Sequence, residues 1–81
     1  MKIKSNIAIS ESGFVFDPST GESFTFNPTG QEIFHLLKAD KSFDEIGEII
    51  FDKYDVSPHD FERFFHDFIT MLKHYQLVEN E

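Results

Sequence analysis

Four histidines, His35, His59, His66 and His74, are the residues here with the most versatile chemistry, because imidazole can ligate a metal or move a proton near neutral pH. No two stand three or four residues apart, the spacing that puts two ligands on one helical face. They read as exposed side chains on polar helix faces, with Glu62 and His66 an ordinary four-residue pair. Cysteine is absent, which removes a thiol nucleophile, thiolate zinc sites and any disulfide framework, and fits a reducing compartment. There is no Gly-x-Ser-x-Gly elbow, and the acidic residues scatter along polar faces without meeting in an evident cleft. Thr29-Gly30 opens a helix but lacks the repeated glycines of a phosphate cradle. The expectation is a chain that is not an enzyme and carries no metal and no cofactor.

Charge narrows the partners. Fifteen acidic against seven basic residues give a formal net charge of −8, which repels phosphate backbones and anionic membrane surfaces. The first ten residues, MKIKSNIAIS, lack the apolar run of a signal peptide, and nowhere do about 20 apolar residues follow one another. Neither nucleic acid nor a membrane is expected as a partner, and the cytoplasm is the default location.

With no reactive centre in view, the elements themselves must carry the function. Eighty-one residues are expected to form one domain, 1–81, with a single core. The core is organised by Ser57 to Tyr75, where Phe61, Phe64, Phe65, Phe68, Ile69, Met71, Leu72 and Tyr75 recur at helical spacing. Ser57 suits the cap, Pro58 the first helical position, and Asp60 the exposed amides of the first turn. At about 100° per residue the apolar positions span roughly 160°, wider than the ~100° stripe of an ordinary amphipathic helix. Such a helix buries its centre and leaves an apolar flank for something else.

Ahead of it, Asn6 to Ser10, Gly13 to Asp17 and Ser23 to Phe26 alternate as half-buried strands, with a tight turn at Asp17 to Gly21. Ile7, Ile9, Phe14, Phe16, Phe24 and Phe26 are expected on one face, with Asn6, Ser10, Ser23 and Thr25 toward water. Asn27 and Pro28 start a helix carrying Ile33, Phe34, Leu36 and Leu37. Ser42 and Glu45 form a capping box for a second, with Phe43, Ile46, Ile50 and Tyr54 on one face. Gly47 in its middle implies close approach of another backbone. The fold class expected is α+β, a three-stranded antiparallel meander followed by three helices packed on one face.

The outer edge of the third strand is unguarded. Lys2 and Lys4 precede the first strand, whereas Ser23 to Phe26 carries no charge, proline or glycine. An open edge beside an apolar helix flank suits strand addition by an extended peptide. Two other covers are available: the chain's own tail, LVENE, or a second copy of the protein.

The order and spacing of several short motifs resemble the PqqD family, the coenzyme PQQ synthesis protein D group. They are Phe26-Asn27-Pro28-Thr29-Gly30-Gln31-Glu32-Ile33-Phe34 with Leu36-Leu37, then Glu45-Ile46, Tyr54-Asp55-Val56, and Phe65 with Phe68-Ile69 and Leu72, within roughly Gly13 to Val78. The resemblance implies a winged-helix-like domain that recognises ribosomally made, post-translationally modified peptides. Such a domain holds the leader of a precursor peptide as an added strand and presents it to a modifying enzyme, often a radical SAM protein. It implies Ser23, Phe24, Thr25 and Phe26 as the pairing strand. One flank of Pro58 to Tyr75 would be the groove wall, assigned here to Phe64, Phe68, Met71 and Tyr75. Two positions depart from the pattern. Gln76 stands where many relatives have glycine, implying a looser or longer helix end, and Phe64 stands where many have an acid, making the groove more apolar.

Two other functions compete. A winged-helix outline also serves DNA-binding regulators, but Ser57 to Tyr75 offers only Arg63 and Lys73 as firm cations. A self-associating module would pair its third strand across a two-fold axis as a homodimer.

Overall fold

The structure, a computed structural model, describes residues 2–79. Three strands, β1 (Ala8–Ile9), β2 (Phe14–Asp17) and β3 (Glu22–Thr25), precede three helices, α1 (Pro28–Lys38), α2 (Phe43–Lys53) and α3 (Pro58–His74). The strands form an antiparallel sheet in the order β1-β2-β3, which is the α+β meander-then-helices architecture expected.

The helices start where the local chemistry says they should. Asn27 Oδ1 accepts from the Gly30 amide at 2.8 Å ahead of Pro28. Ser42 Oγ accepts from Glu45 N–H at 3.1 Å while the Glu45 carboxylate accepts from Ser42 N–H at 3.0 Å, closing the capping box. Ser57 Oγ accepts from Asp60 N–H at 3.1 Å ahead of Pro58. Each cap satisfies an amide that the helix itself leaves unpaired.

The sheet face differs from expectation. Val15 is wholly buried, while Phe14 and Phe16 are 47% and 39% exposed on the outer side. The register explains this, because Val15 pairs with Ile9 on one neighbour and Phe24 on the other. Residues paired across strands share a face, so inward Ile9 and Phe24 carry Val15 with them and turn both phenylalanines of β2 outward. Asp17, on the same side as Val15, is buried at the sheet end, where its Oδ1 accepts from Ser19 N–H at 2.9 Å and begins the turn.

Beneath that face lie Ile33 and Phe34 of α1, Ile46 and Ile50 of α2, and Leu72 of α3, each almost fully buried. Burial of each such side chain contributes about 1.5–3 kcal/mol before packing. Both ends of α2's expected stripe emerge: Phe43 is 44% exposed, and Tyr54 caps the helix and donates its hydroxyl to Glu32 at 3.0 Å. Lys53 bonds the same Glu32 carboxylate at 2.8 Å, which holds that carboxyl below its ordinary pKa and ties α2 to α1. Gly47 is not approached by a backbone. A methyl there would meet the Phe61 ring at 3.4 Å and the Phe51 ring at 3.6 Å, ordinary contact distances. Its cost of about 1 kcal/mol relative to alanine therefore has no steric cause.

Residues 2–4 meet residues 77–79. Ile3 bridges Val78, Lys4 N–H donates to Leu77 C=O at 3.0 Å, and Glu79 N–H donates to Lys2 C=O at 2.8 Å. The described part of the tail thus pairs with residues 2–4 and not with β3; the remainder of LVENE, residues 80 and 81, lies outside the described residues.

The end of α3 is also tighter than expected. Leu77 N–H bonds Leu72 C=O at 2.9 Å and Gln76 N–H bonds Lys73 C=O at 3.1 Å, with Gln76 in the left-handed region at φ +59°. This closure suits glycine, which enters that region without strain. Gln76→Gly is expected to stabilise the fold by about 1 kcal/mol, raising Tm by roughly 4–8 °C in a thermal melt. A lower Tm would contradict the cap geometry.

Candidate functional site

β3 is a terminal strand of the sheet, with β2 on one side. The Phe26 amide, just past the strand, donates to Gly13 C=O at 3.1 Å. Hydrogen-bonding direction alternates along an antiparallel strand, so Phe24 shares the inward phase of Phe26, and Ser23 and Thr25 aim their N–H and C=O groups away from β2. Both residues are exposed. Among the described residues no strand pairs with that outer row.

Alongside the row runs α3. The Phe24 ring meets Tyr75 with centroids 4.7 Å apart, and the Phe26 ring meets Phe68 edge-on at 5.2 Å. Phe64 stacks parallel on Phe68 at 6.0 Å. Phe68 is 7% exposed and belongs to the core, while Phe64 and Met71 are half-buried and Tyr75 is 38% exposed. The structure thus brings Phe24, Phe26, Phe64, Phe68 and Tyr75 together as an aromatic groove floor, with Met71 on the same helical row. Phe68 supports that floor from below. The opposite flank of α3 turns to α2, where Phe65 meets Phe43 at 4.9 Å.

Two glycines set the positions of Phe68 and Phe26. Gly30 lies under Phe68: a Cβ there would come within 3.2 Å of the ring's Cε1 and 3.6 Å of Phe26 Cβ. Sequence reasoning took Gly30 only as part of a helix start. Gly13, at φ +86°, holds the turn that sets Phe26 in register, and Gln31 closes over it, so a Cβ would lie 2.7 Å from Gln31 Oε1. Gln31 Nε2 also donates to the Glu11 carbonyl, pinning α1 to this turn.

At its Phe64 end the groove adjoins a cavity of about 320 Å³ between the starts of α1 and α3 and the end of α2. Ile50, Val56 and Phe61 give it apolar walls, and Asp60 and Tyr54 give it polar groups. Val56 and Asp60, read in the sequence only as a motif residue and a first-turn acid, line this cavity because both flank the capped start of α3. Asp60, Phe64, Asp67 and Met71 follow at intervals of four, three and four, so one helical row carries two exposed carboxylates beside two groove residues. The groove is therefore apolar inside and negative along its helix rim.

The four histidines are exposed on α1 and α3, and among the described residues no three metal-ligating groups converge. Among the described residues no helix is long and apolar enough to cross a membrane.

Comparison with curated proteins finds no match. Among solved structures, TbiB1 in complex with the TbiA(beta) leader peptide is similar, with a TM-score of 0.88 at 28% sequence identity, covering 100% of this chain and 98% of that one. The sequence model of the family described as Coenzyme PQQ synthesis protein D (PqqD) matches residues 13–78. Matched over most of its length, the chain belongs to the PqqD family.

Proposed function

We propose that this chain is a single, non-catalytic recognition domain that captures the leader segment of a ribosomally made precursor peptide as a strand added to β3, and presents it to a modifying enzyme. Backbone hydrogen bonds from Ser23 and Thr25 hold the peptide, and its alternate side chains enter the groove of Phe24, Phe26, Phe64, Met71 and Tyr75, which Phe68 supports. The observation that carries this reading is the outward phase of Ser23 and Thr25 directly beside the half-buried flank of α3. The likeness to TbiB1, itself in complex with a leader peptide, supports the peptide class. No reactive centre enters this account: the chemistry belongs to the enzyme that receives the peptide.

The test is a calorimetric titration with synthetic leader segments of short precursor peptides, beginning with the TbiA(beta) leader. Saturable one-to-one binding is expected. Phe64→Ala is expected to weaken it by about 1–2 kcal/mol, roughly five- to thirtyfold, because a buried contact in the complex is lost. Its urea midpoint should stay near that of the parent, since Phe64 is only half-buried in the free chain. A Phe64→Ala variant that binds normally, or unfolds as readily as a core truncation, contradicts the groove assignment. Light scattering separates the homodimer reading: a dimer abolished by Thr25→Pro would mean that β3 pairs with its own copy.

A further inference from the structure

On the other side of α3 from the groove, an open cleft of about 370 Å³ lies between α2 and α3. Phe43 and Phe51 flank it, 44% and 41% exposed, and Phe61 backs it, its ring 5.5 Å from Phe43 and 5.3 Å from Phe51. Asp44, Gly47 and Glu48 of α2 and Pro58 and Glu62 of α3 complete the lining, which contains no cation. The neighbouring hollow, which shares Phe43 and Glu62, is the one that holds Arg63.

Two local costs meet at this cleft. Asp44 and Glu48 are like charges four residues apart on one helix, an arrangement that repels and that the first-turn amides offset only in part, for Asp44. Gly47 sits between them on the cleft floor, where alanine would be the better helix former and would meet only ordinary contacts. Unfavourable choices that packing does not require concentrate at functional sites. One kind of occupant relieves the first and uses the space left by the second. A planar guanidinium can stack against phenyl rings while donating to carboxylates on either side, and it removes the repulsion between Asp44 and Glu48. The glycine leaves room for it.

We propose that this cleft is a docking site for an arginine side chain projecting from a partner protein, with the exposed rims of Phe43 and Phe51 as the surrounding apolar contact. Arginine and aromatic side chains are the residues most enriched where proteins meet. Because Glu62 and Phe64 face opposite sides of α3, the cleft and the β3 groove can be filled together, and the proposal does not depend on what the groove holds.

The test is a titration of the ¹⁵N-labelled full chain with N-acetyl-arginine amide, read by amide chemical shifts, with N-acetyl-citrulline amide as the neutral isostere. Saturable shifts are expected at Phe43, Gly47, Glu48, Phe51 and Glu62, and none with citrulline. The double variant Glu48→Gln, Glu62→Gln should weaken binding by about fivefold or more. Gly47→Ala should weaken it too, without lowering Tm, which a purely structural role for the glycine would not produce. Equal shifts with the citrulline or a leucine amide, shifts spread over the acidic surface, or unchanged binding by both variants would overturn the proposal.

Discussion

Replacing Phe68 with alanine is expected to cost about 3–5 kcal/mol of folding stability, the largest effect of any groove residue. The ring is 7% exposed, meets Phe26 edge-on at 5.2 Å, carries the stacked Phe64 at 6.0 Å and sits over Gly30 with little room to spare. Truncation leaves a hole that Gly30, lacking a side chain, cannot refill. The stability of a domain this size is about 5–15 kcal/mol, so the loss takes a large part of it. Urea denaturation measures it through the midpoint at unchanged slope. A loss below about 1 kcal/mol would mean that Phe68 is a surface contact and that the groove has no rigid floor.

Thr25→Pro is expected to reduce leader affinity about ten- to hundredfold while leaving the fold nearly as stable. Proline removes the amide that points outward from β3 and puts a ring in the path of the incoming backbone. The bonds to β2 are spared, because they come from the Phe24 and Phe26 phase. The lost hydrogen bond and the unpaired peptide carbonyl together account for the magnitude. Thr25→Val keeps the amide and should bind normally. A proline variant that unfolds while Thr25→Val does not would place the Thr25 amide in the sheet, against the register.

What was legible in the sequence was what is decided locally. Asn27-Pro28, Ser42 with Glu45, and Ser57-Pro58 mark the helix starts because a cap is made between residues three apart. The wide arc of α3 was legible for the same reason, and it announced one apolar flank left over; that Phe65 on the other flank is also only half-buried was not read from it. The phase of β2 was not. GFVFD alternates equally well with either face inward, and only pairing with Ile9 and Phe24 selects Val15. The union of residues 2–4 with 77–79 joins segments at opposite ends of the chain, which no local pattern encodes. Gln76 misled in a different way, since its left-handed backbone is dictated by the Leu72–Leu77 closure and runs against its own preference. For the site, the edge and the aromatic residues were readable as types. The roles of Gly13 and Gly30 depend on what lies across the fold from each, which is three-dimensional information.

The central claim concerns two backbone amides, and amide hydrogen exchange reads them individually. In the free chain the Ser23 and Thr25 amides are predicted to exchange rapidly, while those of Phe24 and Phe26 exchange slowly. Saturation with the leader peptide should slow Ser23 and Thr25 by tenfold or more, on the order of the bond each gains, with Phe24 and Phe26 little changed. Ser23 and Thr25 already protected in the free monomer, or still exchanging rapidly at saturation, would contradict strand addition at β3.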